Sequence, residues 1–65
     1  MSALPPHLLP LFLRVVLSLL AEGAPLDALA RYAGQDAETV REALGKLPET
    51  GEIHGREGES LWRHF

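Results

Sequence analysis

Residues 29–53 read LARYAGQDAETVREALGKLPETGEI, and the fold is decided in this stretch. Together with the preceding Leu26, residues Leu29, Ala30 and Ala33 fall at i, i+3, i+4 and i+7, one apolar face of a short helix predicted over residues 26–33. Asp27 stands near its start, where a carboxylate caps free amides or meets the positive end of the helix dipole. Gly34 ends it. Asp36 is placed to cap a further helix over residues 37–47, with Glu38 in the first turn. Val40, Leu44 and Leu47 make its inward stripe, and Pro48 forbids continuation past Leu47. Glu38, Thr39, Arg41, Glu42, Gly45 and Lys46 face outward. Gly51–Glu52–Ile53 then opens an extended segment.

Toward the C-terminus, residues 51–65 read as a hairpin. Its turn is Gly55–Arg56–Glu57–Gly58, with a glycine at each end to supply the positive φ angles of a tight turn. Ile53 lies opposite Leu61 or Trp62, depending on the register. Toward the N-terminus, a helix is predicted over residues 10–22, with Pro10 in its first turn, Gly23 as its stop and Pro25 just beyond. Residues 1–9, with Pro5 and Pro6, form a leader that is extended or a single turn.

This first helix is apolar nearly all round. One stripe is Phe12, Val15, Val16, Leu19 and Leu20; a second is Leu9, Leu13 and Leu17; only Arg14, Ser18 and Glu22 are polar. Such a helix is covered on more than one side. One face meets the core of this small domain. Leu9, Leu13 and Leu17 are expected to form the other, an exposed patch that serves as an interaction surface. Its cover is a second copy in a two-fold dimer, a partner protein or domain, or the leader Leu4–Leu8 folding back.

The 65 residues make one small domain, and 46% of them are hydrophobic, enough for a core and too much for a disordered tail. A chain this short buries only about 60% of its unfolded surface, so its stability is marginal. The absence of Cys removes disulfides and thiolate metal sites. A net charge of −3 argues against an interface dominated by phosphate contacts. The apolar run from Leu8 to Ala21 is shorter than the roughly 20 residues of a membrane span and carries Arg14 in its middle, so no membrane association is expected. No Lys or Arg precedes the run, which excludes a secretory signal and leaves a cytoplasmic location as the default.

The order helix, helix, turn, helix, hairpin resembles the winged helix-turn-helix superfamily, giving a fold class of mainly α with a C-terminal β-hairpin. The resemblance rests on Leu29–Ala30, Gly34, Val40, Leu44 and Leu47, and Gly51–Glu52–Ile53, and covers about two-thirds of the chain. Each residue has a physical task. Ala30 is small where two helices cross, Gly34 permits the turn, and the three apolar residues plug the third helix into the core. The layout is closest to the N-terminal helix-turn-helix domain of alkylmercury (organomercurial) lyases. Gly23–Ala24–Pro25, Leu47–Pro48–Glu49–Thr50, Gly51–Glu52–Ile53 and Arg63–His64–Phe65 match that pattern. The stretch from Pro25 to Leu29 is about two residues short of it, and the lyase's cysteine-bearing catalytic region is missing. The resemblance therefore implies a domain that packs against a partner, and carries over no lyase chemistry.

Two functional readings follow. The first is a non-catalytic interaction module that dimerises or docks through the first helix. The alternative is a DNA-binding regulator in which Arg41 reaches a base edge and Lys46 and Arg56 hold phosphates, with Thr39 and Arg63 completing the contact set. Against it, Glu38 and Glu42 flank Arg41, Glu42 pairs with Lys46 at i, i+4, and Glu57 and Glu59 fringe the wing tip. His54 and His64 approach each other only if the hairpin register allows, and a zinc site needs three or four ligands, so no metal or cofactor is expected. No nucleophile–base pair and no phosphate loop is present, and 65 residues hardly enclose a catalytic cleft. Trp62 and Phe65 cap the core or anchor an interface.

Overall fold

In the structure, a computed structural model describing residues 4–65, a single 3-10 turn (Pro6–Leu8) leads into α1 (Leu9–Leu19), α2 (Leu26–Ala33) and α3 (Ala37–Gly45). A hairpin of β1 (Thr50–His54) and β2 (Ser60–His64) follows. Met1, Ser2 and Ala3, the start of the expected leader, lie outside the described residues. The fold class is as expected: three helices, then an antiparallel wing.

The helix-turn-helix forms from the signals its sequence carries. Gly34 adopts the left-handed conformation (φ 67°) just past α2, and the Gln35 N–H reaches back to the Ala30 carbonyl at 3.1 Å. Asp36 is the extended residue before α3, as expected of a cap, but its carboxylate accepts from the Thr39 hydroxyl and not from a backbone amide. Regular α3 geometry stops at Gly45, two residues before the predicted end. Lys46 and Leu47 donate to the carbonyls three residues back, and Pro48 follows directly. The buried Thr50 hydroxyl then lies 3.2 Å from the Leu44 carbonyl and 3.0 Å from that of Leu47. The open end of the helix is thereby satisfied by the first residue of β1.

Helix α1 ends at Leu19, three residues before the predicted boundary, and the cause is a short extended segment that composition does not announce. Ala24 pairs with Trp62 through two backbone bonds, 2.9 Å and 2.8 Å, adding a one-residue third strand to the outer edge of β2. The chain must leave the helix in time to reach that edge. Gly23 makes the bend with φ 91°, and a Cβ there would stand 2.8 Å from the Trp62 carbonyl oxygen. In the hairpin, Ile53 lies opposite Leu61, the first of the two registers considered. Gly58 has the positive φ, 84°, that the turn requires; Gly55 does not, so only one of the two turn glycines serves as expected.

The core comprises Leu9, Leu13 and Leu17 from α1, Ala24, Leu29, Ala30 and Ala33 from the middle of the chain, and Val40, Leu44 and Leu47 from α3 and its exit. This corrects the reading of α1. Leu9, Leu13 and Leu17 are 3%, 0% and 1% exposed and form no surface patch. Within the expected leader, residues 1–9, Leu9 belongs to this core. Leu4 packs on the core, its N–H donates to the Ala33 carbonyl at 3.3 Å, and its carbonyl accepts from Gln35.

Candidate interaction surface

At 100° per residue, positions four apart along a helix form rows, and α1 has four of them. Leu9–Leu13–Leu17 is buried. Pro10–Arg14–Ser18, continued by Glu22 beyond the helix, is the polar row. Leu8–Phe12–Val16–Leu20 is partly covered, with Phe12 and Val16 packed against the core. Leu11–Val15–Leu19 faces outward, 57%, 51% and 78% exposed. Leu8 at 39% and Leu20 at 37% extend this face at its two ends.

Opposite Arg14 and Ser18, at 100° per residue, lies the Leu8–Phe12–Val16–Leu20 row, with the all-leucine row on one flank and Leu11–Val15–Leu19 on the other. The structure buries the first flank and exposes the second. The Arg14 guanidinium pairs with the Glu49 carboxylate at the entrance to β1. Ser18 donates to the Arg14 carbonyl at 2.7 Å and needs no other partner. The Glu49 carboxyl is held below its ordinary range, chiefly by a hydrogen bond from its own backbone N–H and then by the Arg14 hydrogen bond. Desolvation works against this, and the charges of Arg14 and His64 add smaller effects in the lowering direction. With Arg14 tied down, the outward face of α1 from Leu8 to Leu19 carries no charged group.

Sequence reasoning placed Val15 and Leu19 on the core side and assigned Leu11 no role. The signal was present in the four-residue spacing of Leu11, Val15 and Leu19, a complete apolar row with no polar interruption.

The basic side chains of the alternative reading border three different hollows. Arg41 borders a hollow with Asp27 and Glu52 beside Trp62. Lys46 borders another, with Thr39 and Glu42, between α3 and the N-terminal end of α1. Arg56 and Arg63 border a third, of about 540 Å³, lined also by Ile53, Leu61, Glu22, Glu57 and Glu59. Each cation thus shares its hollow with at least one carboxylate. Thr39 spends its hydroxyl hydrogen on Asp36.

His54 pairs with Ser60 at one end of the ladder and His64 with Thr50 at the other. Four residues of strand separate them, roughly 13 Å. Among the described residues no three His, Asp or Glu side chains converge on a point, and no helix is long and apolar enough to cross a membrane. Trp62 is half-buried against the core, while Phe65 is 68% exposed with its ring lying across Gly51. No family model, curated protein or solved structure matches the chain.

Proposed function

We propose that this chain is a non-catalytic docking module, a small winged-helix domain that binds protein through the outward face of α1. Within this reading it is a cytoplasmic relative of the winged helix-turn-helix superfamily, similar in layout to the N-terminal domain of alkylmercury lyases. The observation that carries the reading is the uninterrupted exposed row Leu11–Val15–Leu19, extended by Leu8. Contiguous apolar surface of this kind marks interaction sites on small soluble domains.

The energetics set the strength of the contact. The exposed fractions of these four side chains add up to a little over two whole residues. At roughly 2 kcal/mol for each buried Leu or Val, covering them contributes about 4–5 kcal/mol from this side of an interface. Association costs on the order of 4–15 kcal/mol in lost freedom. The face therefore binds measurably only when the partner supplies an apolar surface of comparable size. The DNA-binding reading has less support, because each of its cations shares a hollow with at least one carboxylate.

The test is a double substitution, Val15→Glu with Leu19→Glu, examined at low micromolar concentration. The expected variant keeps its far-UV circular dichroism spectrum and loses most of the binding of an environment-sensitive apolar dye that the original chain shows. A variant that unfolds would place these residues in the core. A folded variant with unchanged dye binding would deny the face any adhesive character. Either result removes the proposal.

A further inference from the structure

Resting on the docking reading above, the geometry of α1 points to a second copy of this chain as the occupant of its outward face, in an antiparallel two-fold pair centred on Val15. The outward row reads Leu–Val–Leu in either direction, 11–15–19 or 19–15–11. A two-fold axis through Val15 places Leu11 of one copy against Leu19 of the other, and the reverse, so the row complements itself, as an isologous interface requires. Val15 is the smallest residue of the row and sits at its middle, where crossing helices come closest.

The neighbouring row supplies the other half of the fit. Leu8, Phe12 and Val16 run parallel to the outward row, four residues apart throughout, and the two rows bound a groove. Rows at this spacing from two helices interlock at a crossing angle of about −50°, the commonest helix-packing class. Charge agrees with a like partner. Arg14 is committed to Glu49, and no charge on the face is left seeking a complement.

The area fixes how stable the pair is. From Leu8 to Leu20 the helical path is roughly 20 Å long, and a face about 10 Å wide buries on the order of 200 Å² from each copy. That is about a quarter of what a standard stable interface takes from each partner. The pair is accordingly weak and exchanging, with a dissociation constant between about 10 µM and about 1 mM.

Sedimentation equilibrium of the full chain across that concentration range is expected to show a reversible monomer–dimer transition. Because the chain has no Cys, Val15→Cys puts one thiol at the proposed axis, where helices about 8–10 Å apart bring two Cα atoms within disulfide reach. Under mild oxidation it is expected to form covalent dimers at least ~10-fold faster than Glu57→Cys at the wing tip. A chain that stays monomeric throughout overturns the inference. So does a dimer in which Val15→Cys is no faster than Glu57→Cys, since its axis then lies elsewhere. Failure here is distinct from failure of the docking reading. A strict monomer whose dye binding falls in the Val15→Glu, Leu19→Glu variant keeps the docking face and assigns it to a different protein.

Discussion

Leu13 and Leu19 lie on the same helix, and replacing each by Ala makes the same change in side-chain volume and helix propensity. They differ in burial. Leu13 is fully buried among Leu9, Leu17 and the α2–α3 core, while Leu19 is 78% exposed. Truncating a fully buried Leu costs about 2–5 kcal/mol, through lost transfer energy and the cavity left behind. An exposed truncation stays within about 0.5 kcal/mol. A domain of this length has a total stability of roughly 3–10 kcal/mol, so Leu13→Ala removes about a fifth of it or more. Each 1 kcal/mol moves the melting temperature of so small a domain by about 4–8 °C. Leu13→Ala should therefore melt at least ~8 °C below the parent, while Leu19→Ala should melt within a few degrees of it. Thermal melts followed by circular dichroism check this, at low micromolar concentration so that self-association adds nothing. Equal losses, or a larger loss at Leu19, would refute the assignment of the buried and outward rows and with it both functional inferences.

The remaining predictions concern single contacts. Gly23→Ala should destabilise by about 1–3 kcal/mol, since φ is 91° and the new Cβ meets the Trp62 carbonyl; Gly45→Ala, with no atom within 4 Å of its Cβ, should stabilise by about 0.5 kcal/mol. Opposite shifts in the urea midpoint check the pair. Thr50→Val removes the hydroxyl that serves the Leu44 and Leu47 carbonyls and should cost about 1–2 kcal/mol in the same assay. Glu49 has a folded pKa below its ordinary 4.5, so its contribution is complete above that value and is lost as pH falls through the folded pKa. Stability measured from pH 6 downward should decline more steeply in the parent than in Glu49→Gln, with a smaller difference at high salt; parallel curves would show that the Arg14–Glu49 pair is not linked to folding.

Much of the fold was legible because its boundaries rest on residues with one physical use. The 26–33 helix is found at its predicted limits, with Gly34 and Asp36 marking the turn to α3. The hairpin follows from Gly51, Ile53 and the glycine-flanked turn. The boundary that moved furthest is set by a distant contact. The early end of α1 serves the Ala24–Trp62 pairing, which joins residues thirty-eight positions apart by two backbone bonds. Backbone bonds use no particular side chain, so nothing at Ala24 announces them. The early end of α3 is local: Lys46 and Leu47 take up three-residue spacing before Pro48, and the Thr50 hydroxyl meets the Leu44 and Leu47 carbonyls.

The interaction surface was legible as a property of α1 and illegible as a choice of face. Three of its four rows are wholly or almost wholly apolar, so periodicity gives α1 no unique inward direction. At 100° per residue, the row opposite Arg14 and Ser18 is Leu8–Phe12–Val16–Leu20, and the all-leucine row and the Leu11–Val15–Leu19 row stand on its two flanks. The polar residues therefore leave the choice between those flanks open. In the structure the all-leucine flank is buried and the other exposed, while Arg14 meets Glu49, thirty-five positions away. That ion pair is half exposed at Arg14, and such a pair contributes less than burying a single Leu does. The choice of face therefore rests on which row fits the surfaces that α2, α3 and the hairpin present, and the ion pair accompanies it. Those surfaces are set by residues far along the chain, so no spacing within α1 itself announces which flank becomes core and which is left for a partner.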